Sequence, residues 1–193
     1  MSKQESKQEN QVWNYTPNEE DPLGKLVEKK GKKIVYTNPE MAKYLIDRIK
    51  FYEGELVCDC CRGAGDGGGA FYNQLPDYVV KSWYEINEGR DYLGEERVMV
   101  NTTIGNPPYV PRGLCWAFFQ RAMETTTDRI FYLVNASIIN VFTPNRLDEM
   151  KKNKWFIQSF HIVQDKRWFG RYMMVELGRE DNGLYSWKSG KSF

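Results

Sequence analysis

Apolar positions along the chain cluster into six short runs, separated by polar, charged or glycine-rich stretches. Each run has the length of a strand, and most are rich in β-branched and aromatic residues. The runs are ELVCD, YVVKSWYEI, RVMVNTTI, RIFYLVNAS, WFIQSFHIV and YMMVEL. They predict that a sheet forms the centre of the fold.

Helical patterns lie between several of these runs. Asn38 and Pro39 supply a capping residue and a first-turn proline, which predict a helix start in YTNPEMAKYLIDRIK. Its apolar residues share one helical face: Met41, Tyr44, Leu45 and Ile49. The glycine-rich stretch RGAGDGGGAFYNQL is expected to be a loop that opens a second helix. GLCWAFFQRAME and PNRLDEMKKN predict two more helices, the first with this buried face: Leu114, Ala117, Phe118 and Ala122.

Strands that alternate with helices predict an α/β domain with a mostly parallel sheet. The last two runs are separated only by QDKRWFGR, which is too short for a helical crossover, so they are expected to form an antiparallel hairpin. Residues 1–22 are polar and predict a flexible N-terminal arm. Residues 23–193 are then expected to form a single domain.

Composition narrows the classes of function. The formal net charge of +1 does not favour binding to nucleic acid by bulk electrostatics, so any such contact has to be local. No apolar run approaches the roughly 18 residues of a membrane helix, and residues 1–20 do not have the pattern of a signal peptide. A cytoplasmic location without membrane contact is therefore expected.

Cysteine and histidine content argues against metal and histidine chemistry. The cysteines are Cys58, Cys60, Cys61 and Cys115, and no CxxC pair exists. His161 is the one histidine, and it lies in an apolar strand-like run. We therefore expect no metal site, and a histidine-dependent hydrolase is disfavoured.

The stretch VCDCCRGAGDGGGAF follows a predicted strand, which makes its glycine pattern informative. Asp59 is followed at a short distance by Gly63 and Gly65. The glycines allow the backbone to approach a ligand closely, and an acid at the strand end accepts hydrogen bonds. The absence of Gly-Lys-Ser/Thr excludes a nucleoside triphosphate P-loop. The alternative is a mobile glycine turn without a ligand.

Acidic residues after the second strand are candidates for nucleoside recognition. Glu85 lies where α/β nucleoside binders place an acid that hydrogen-bonds ribose hydroxyls. Asp91 is a candidate acceptor for an adenine amino group, with Tyr92 and Leu93 against the ring. The alternative for both acids is an ordinary surface carboxylate.

The segment VNTTIGNPPYVPRG ends the third strand with Asn106, Pro107, Pro108 and Tyr109. Neither proline donates a backbone hydrogen bond, so the strand has to stop there. One interpretation is a rigid turn. The other is a site that requires a stiff backbone, an amide and an aromatic ring together.

These segments resemble the S-adenosylmethionine-dependent amino-methyltransferases, which methylate exocyclic amino groups, chiefly N6 of adenine in DNA. The cofactor loop of that family has the order Asp-Pro-x-x-Gly-x-Gly, and residues 59–65 read DCCRGAG, with Cys60 in place of the proline. The catalytic tetrapeptide of the family is matched fully by NPPY at residues 106–109. The resemblance covers residues 34–177. It differs between Glu85 and Asp91, where many members have a helix and a strand, and it implies a compact, phage-like version.

The resemblance implies a Rossmann-like fold that binds S-adenosylmethionine. Tyr36 and Thr37 occupy the place of an upstream segment that touches the methionine end of the cofactor. The remaining implied cofactor residues are Asp59, Gly63, Gly65, Glu85, Asp91 and Tyr92. Trp168 and Phe169 are candidates for packing on the target base, or alternatively for ordinary hairpin packing.

Methyl transfer to an amino group explains the tetrapeptide chemically. The side-chain oxygen of Asn106 and the carbonyl of Pro107 accept from the N–H groups of the target, while the prolines stiffen the backbone. Tyr109 offers a ring face to an extruded base.

DNA adenine is the favoured target, and an RNA base or a protein glutamine amide presents the same amino group. Few residues follow Leu177, so no recognition domain is expected and a partner subunit is a candidate for target choice. A cofactor-binding protein without catalysis is the alternative of another class.

Overall fold

The computed structural model describes residues 36–65, 68–109, 111, 113–164 and 171–186. The predicted arm at residues 1–22 lies outside these ranges, so the division into an arm and one domain stays a prediction.

The described residues form three α-helices, six strands and three short 3-10 turns. The helices are α1 (Pro39–Ile46), α2 (Leu114–Thr125) and α3 (Pro144–Lys152). The strands are β1 (Leu56–Asp59), β2 (Val80–Trp83), β3 (Val100–Gly105), β4 (Thr126–Asn135), β5 (Phe156–Val163) and β6 (Tyr172–Gly178). The 3-10 turns are Tyr72–Gln74, Ile86–Glu88 and Ala136–Asn140. Each predicted strand is present.

The strands form one sheet with the order β2-β1-β3-β4-β6-β5. The first four are parallel neighbours, and β6 is antiparallel to both β4 and β5. The predicted α/β fold with a mostly parallel sheet and a late antiparallel pair is therefore confirmed. Because β2, β1, β3 and β4 run in one direction, the loops that follow them meet at one edge of the sheet.

Helices pack on both faces of the sheet, as the alternation along β4 shows. Phe131 and Leu133 join the core cluster that contains the buried residues of α1. Tyr132 points to the other face, where its ring lies 4.9 Å from that of Phe119 in α2. Successive side chains of a strand point to opposite faces, so β4 joins the two layers.

Two helix predictions need correction. No α-helix follows the glycine loop in the described residues, and only the 3-10 turn Tyr72–Gln74 forms there. Six residues separate Gly69 from Pro76, and the proline blocks continuation. In α1 the buried face consists of Ala42, Leu45 and Ile46. Tyr44 is 50 % exposed, and its hydroxyl lies 3.1 Å from Nε2 of His161 on β5.

The connection from β2 to β3 is short. It contains the 3-10 turn Ile86–Glu88 and further turns, with no helix or strand among its described residues. Strand β2 therefore forms an edge of the sheet, which agrees with the expectation of a compact version.

Candidate active site

Three predicted site segments meet at the carboxyl edge of the parallel strands. Asp59 ends β1 and is in register with Trp83 of β2 and Ile104 of β3. The Cys60 amide donates to the Ile104 carbonyl at 2.9 Å, and the Tyr84 amide donates to the Asp59 carbonyl at 2.9 Å. The glycine loop, the loop with Glu85 and the tetrapeptide are therefore neighbours.

The side chain of Asp59 is hydrogen-bonded to both sides of the glycine loop. Its carboxylate is buried and accepts from the amides of Cys61, at 3.3 Å, and Tyr72, at 3.2 Å. Burial raises the pKa of Asp59 to about 7, and the two backbone hydrogen bonds oppose that rise. Both oxygens thus contact the protein's own loop, and a direct contact with a ligand stays a prediction.

The two glycines of the predicted motif have different surroundings. Gly63 has a φ of +83°, and a Cβ there would lie 2.9 Å from Cε1 of Tyr36. Gly65 has a φ of +66°, and no atom of the described residues would lie within 4 Å of its Cβ. Gly63 is therefore required for packing against Tyr36, whereas Gly65 borders open space.

Glu85 ties the end of β2 to the glycine loop. Its Oε2 accepts from the Gly63 amide at 2.8 Å, and its Oε1 accepts from the backbone and side-chain nitrogens of Asn87 at 3.0 and 2.9 Å. Asp91 lies a few residues further along, half-buried, where its Oδ1 accepts from the Leu93 amide at 3.0 Å. Whether Glu85 or Asp91 binds the ribose of a cofactor stays a prediction.

Tyr92 lies in the aromatic core. It is 5 % exposed, with ring centroids 5.2 Å from Tyr84 and 5.4 Å from Phe118. Its hydroxyl lies 3.4 Å from Oγ1 of Thr125, and burial raises its pKa well above the ordinary value. These contacts leave the ring little surface for an adenine. Tyr92 therefore packs in the core, and the prediction that its ring contacts the cofactor is wrong.

The tetrapeptide forms a hydrogen-bonded cluster with an upstream segment. Nδ2 of Asn106 donates to Oγ1 of Thr37 at 3.2 Å. The Tyr109 hydroxyl donates to Oδ1 of Asn106 at 2.8 Å and lies 3.1 Å from the carbonyl oxygen of Leu133. Pro107 is buried. Residues that lie far apart in the sequence therefore hold the amide of Asn106 at both ends.

Tyr109 combines an accessible ring with an enclosed hydroxyl. The residue is 36 % exposed, while burial is the main cause that raises the pKa of its hydroxyl well above the ordinary value. The hydroxyl is therefore protonated at neutral pH and acts as a donor.

Two thiols pack where a side chain at position 105 would lie. A Cβ at Gly105 would lie 2.8 Å from Sγ of Cys60 and 2.8 Å from Sγ of Cys61. Burial raises the pKa of both thiols, so they are neutral at pH 7. This packing against the strand before Asn106 was missed by sequence reasoning. The replacement of the family proline by Cys60 was the available signal.

A stack of arginine and tryptophan side chains beside the site was also missed. The guanidinium carbons of Arg62 and Arg90 lie 4.1 and 4.6 Å from the ring centroid of Trp83. Arg62 forms an ion pair with Glu88. These contacts cover the edge strand β2. Their residues follow no helical or strand repeat in the sequence, so the stack could not be predicted from it.

The remaining predicted elements lie elsewhere. Trp168 and Phe169 fall outside the described residues, so their role stays a prediction. His161 lies on β5, where its Nε2 is 3.1 Å from the Tyr44 hydroxyl. Across the described ranges, no group of three or more potential metal ligands occurs. No described helix has the length and apolar character needed to cross a membrane.

Similarity to known proteins is found in structure only. No protein-family model matches the chain, and no curated protein matches its sequence. A Listeria monocytogenes protein assigned to the class I S-adenosylmethionine-dependent methyltransferases superposes with a TM-score of 0.58 at 14% identity, over 85% of this chain and 68% of that one.

Two further solved structures are similar. The 23S rRNA methyltransferase ErmE has a TM-score of 0.55 at 15% identity, over 76% of this chain and 70% of that one. Magnesium protoporphyrin IX methyltransferase from Synechocystis, crystallised with S-adenosylmethionine, has a TM-score of 0.55 at 10% identity, over 82% of this chain and 92% of that one. The chain has the Rossmann-like fold of S-adenosylmethionine-dependent methyltransferases.

Proposed function

We propose that this protein is an S-adenosylmethionine-dependent methyltransferase that acts on an exocyclic amino group, with N6 of adenine in DNA as the favoured target. The observation that carries the proposal is the adjacency of Asp59 and Asn106. Asp59 ends β1 and Asn106 directly follows β3, and these two strands are parallel neighbours, so a glycine loop and an amide with a fixed orientation face the same edge of the sheet. An arrangement with these residues on opposite sides of the molecule would have ruled the function out.

The residues present fit the proposed cofactor. Beside Gly65, none of the described protein atoms would lie within 4 Å of an added Cβ, and backbone at positive φ turns the loop sharply there. In this proposal a ribose hydroxyl would share the oxygens of Glu85, which already accept from Gly63 and Asn87. The half-buried Asp91 would accept from an amino group of the cofactor. When bound, S-adenosylmethionine supplies a methyl group that is activated by a sulfonium charge.

The chain's own residues would act on the target amine. The Oδ1 of Asn106 and the Pro107 carbonyl accept from its two N–H groups as positive charge develops on nitrogen. The prolines keep the carbonyl direction constant, so little reorganisation is required during the reaction. The methylated amine would release one proton to water after transfer, so no histidine base is needed.

Target identity is the finer part of the proposal. The tetrapeptide favours adenine N6 because Tyr109 presents an accessible ring for base stacking. The similarity to an rRNA methyltransferase supports an RNA base as a second candidate. A protein glutamine offers the same amino group without a stacking surface. A partner subunit remains our proposal for target selection.

The test is methyl transfer from labelled S-adenosylmethionine to duplex DNA, RNA and protein in parallel, followed by nucleoside and amino-acid analysis. We expect label in N6-methyl-2′-deoxyadenosine from the DNA. Label in a methylated ribonucleoside would move the target to RNA and retain the chemistry. Label in glutamine would show that the target is a protein amide, and the proposed transfer to an amino group would still hold. If calorimetry finds that the protein binds S-adenosylmethionine but no substrate is methylated, the protein is a cofactor-binding protein without catalysis.

A further inference from the structure

We propose that Thr37 is a positioning residue, which sets the orientation of the Asn106 amide so that its oxygen faces the target amine. This inference rests on the function proposed above. It differs from the role that the resemblance implies for Thr37, which is contact with the methionine end of the cofactor.

The geometry of the cluster supports this role. An amide nitrogen only donates and an amide oxygen only accepts, so the partner at one end determines where the other end points. Oγ1 of Thr37 accepts from Nδ2 of Asn106 at 3.2 Å. The oxygen Oδ1 is thereby turned toward Tyr109, whose hydroxyl donates to it at 2.8 Å. The acceptor then lies beside the ring on which a base would stack.

Thr37 is rigid enough to act as a reference point. It is 7 % exposed and directly precedes Asn38, which caps α1 by accepting from the Glu40 amide at 2.9 Å. The buried residues of α1 anchor that helix to the sheet. On its other side, the ring of Tyr36 lies against Gly63 of the glycine loop. Thr37 is thus held between the loop and Asn106.

The chain contains a matched pair of the same chemistry at the other end of β3. Nδ2 of Asn101 lies 3.3 Å from Oγ1 of Thr127. Asn101 and Asn106 are five positions apart along an extended segment, which corresponds to about 16 Å. Nδ2 of Asn101 also lies 3.3 Å from Oδ2 of Asp128, and the Thr127 hydroxyl donates to the Val100 carbonyl at 3.4 Å. Thr127→Val therefore removes a threonine–asparagine hydrogen bond away from the site and serves as a control.

The experiment compares single-turnover methyl transfer and cofactor affinity in wild type, Thr37→Val, Thr37→Ser and Thr127→Val. Valine keeps the shape of threonine but has no acceptor, whereas serine keeps the hydroxyl. We expect Thr37→Val to lower the transfer rate about tenfold, which is typical of one lost hydrogen bond. Its cofactor dissociation constant should stay within about twofold, and Thr37→Ser and Thr127→Val should keep rates within about threefold.

A double-mutant cycle separates positioning from general structure. In Asn106→Ala there is no amide to orient, so adding Thr37→Val should lower the rate no further. Independent rate losses that multiply would overturn the inference. A weakened cofactor affinity with an unchanged transfer rate would also overturn it, and would return Thr37 to the cofactor site.

A readout without activity keeps the inference distinct from the proposed function. The side-chain amide signals of Asn106 in a nitrogen–proton NMR spectrum can be assigned by their loss in Asn106→Asp. We expect Thr37→Val to shift them and Thr37→Ser to leave them near the wild-type position. Unshifted signals in a folded Thr37→Val protein overturn the inference even if the enzyme is active. Shifted signals with no transfer by wild type to any substrate overturn the proposed function instead.

Discussion

Each end of the parallel strands has a buried carboxylate, and the two carboxylates differ in their hydrogen-bond partners. At the amino end, Glu55 is fully buried, and its Oε1 accepts from Nη2 of Arg129 at 2.8 Å and from the hydroxyl of Thr102 at 2.5 Å. At the carboxyl end, Asp59 is equally buried but accepts from two backbone amides and forms no ion pair with any described residue. The acids are four positions apart in the sequence.

In the function proposed here, the amino end of the sheet is structural and the carboxyl end carries the site. A buried ion pair is compensated locally, and breaking it leaves an unpaired charge. A buried acid without an ion pair has a shifted pKa and is common at functional sites. Hydrogen bonds at the amino end therefore serve stability, whereas those at the carboxyl end hold loops in position around open space.

Gly65→Val should have the largest effect, because it should remove measurable binding of S-adenosylmethionine. The branched side chain would occupy the open space beside the loop. Gly54→Val is a matched control at the amino end, since Gly54 also has a positive φ, +75°, and no described atom within 4 Å of an added Cβ. Both variants carry similar backbone strain, about 1–2 kcal/mol. Calorimetry that finds equal affinity in the two folded variants would contradict the loop assignment.

Asn106→Ala should lower the single-turnover rate about 100- to 1000-fold, because one preorganised acceptor is lost in the transition state. Cofactor affinity should stay within a few-fold. Asn101→Ala removes an asparagine from the other end of β3 and should leave the rate nearly unchanged. If Asn106→Ala transferred methyl groups at the wild-type rate, the tetrapeptide would be only a turn.

Glu55→Ala should lower the free energy of unfolding by about 3 kcal/mol, since Arg129 and Thr102 lose their common partner. The side chain of Arg129 is 26% exposed, so hydration of its charge keeps the loss at the low end of the expected range. Glu53→Ala, at an exposed position, should change stability by less than about 0.5 kcal/mol. Urea unfolding measures both. Equal effects of the two changes would remove the distinction between the ends of the sheet.

Asp59 should make the folded state less stable as pH rises. Its folded pKa of about 7 lies above the ordinary value of 3.8, so the folded state holds a proton that the unfolded state has released. This contribution is fully present below pH 3.8 and is lost as pH rises to 7. Between pH 5 and 6 the decrease should be about 1 kcal/mol.

The measurement for this prediction is the difference in unfolding free energy between wild type and Asp59→Asn at several pH values, because other titrating groups cancel in the difference. The advantage of wild type over Asp59→Asn should shrink toward neutral pH. A constant difference from pH 4 to 7 would show that Asp59 titrates normally.

Local patterns were sufficient for the strands and for most helices. The apolar runs RIFYLVNAS and YMMVEL predicted β4 and β6 because strand composition is a short-range property. Asn38 and Pro39 predicted the start of α1 because a cap acts on amides of the same turn. The helix expected after the glycine loop failed, because a glycine-rich stretch and Pro76 leave too few residues for helical propagation.

Contacts between distant residues could not be predicted in the same way. Tyr92 was assigned to a ligand by its place in the sequence, yet packing against Tyr84 and Phe118 places it in the core. The Glu55–Arg129 pair was not predicted, since 74 positions separate its members. Neither residue type has a local signal for a partner.

By itself, the sequence determined the alternation of strands and helices, the glycine loop after β1 and the NPPY segment after β3. These features depend on backbone preferences within a few residues. Only the tertiary structure decided that Thr37 meets Asn106, 69 positions away, and that Glu55 rather than Asp59 pairs with an arginine among the described residues. Such pairings depend on which strands become neighbours, and that is set by packing of the whole sheet rather than by any segment of it.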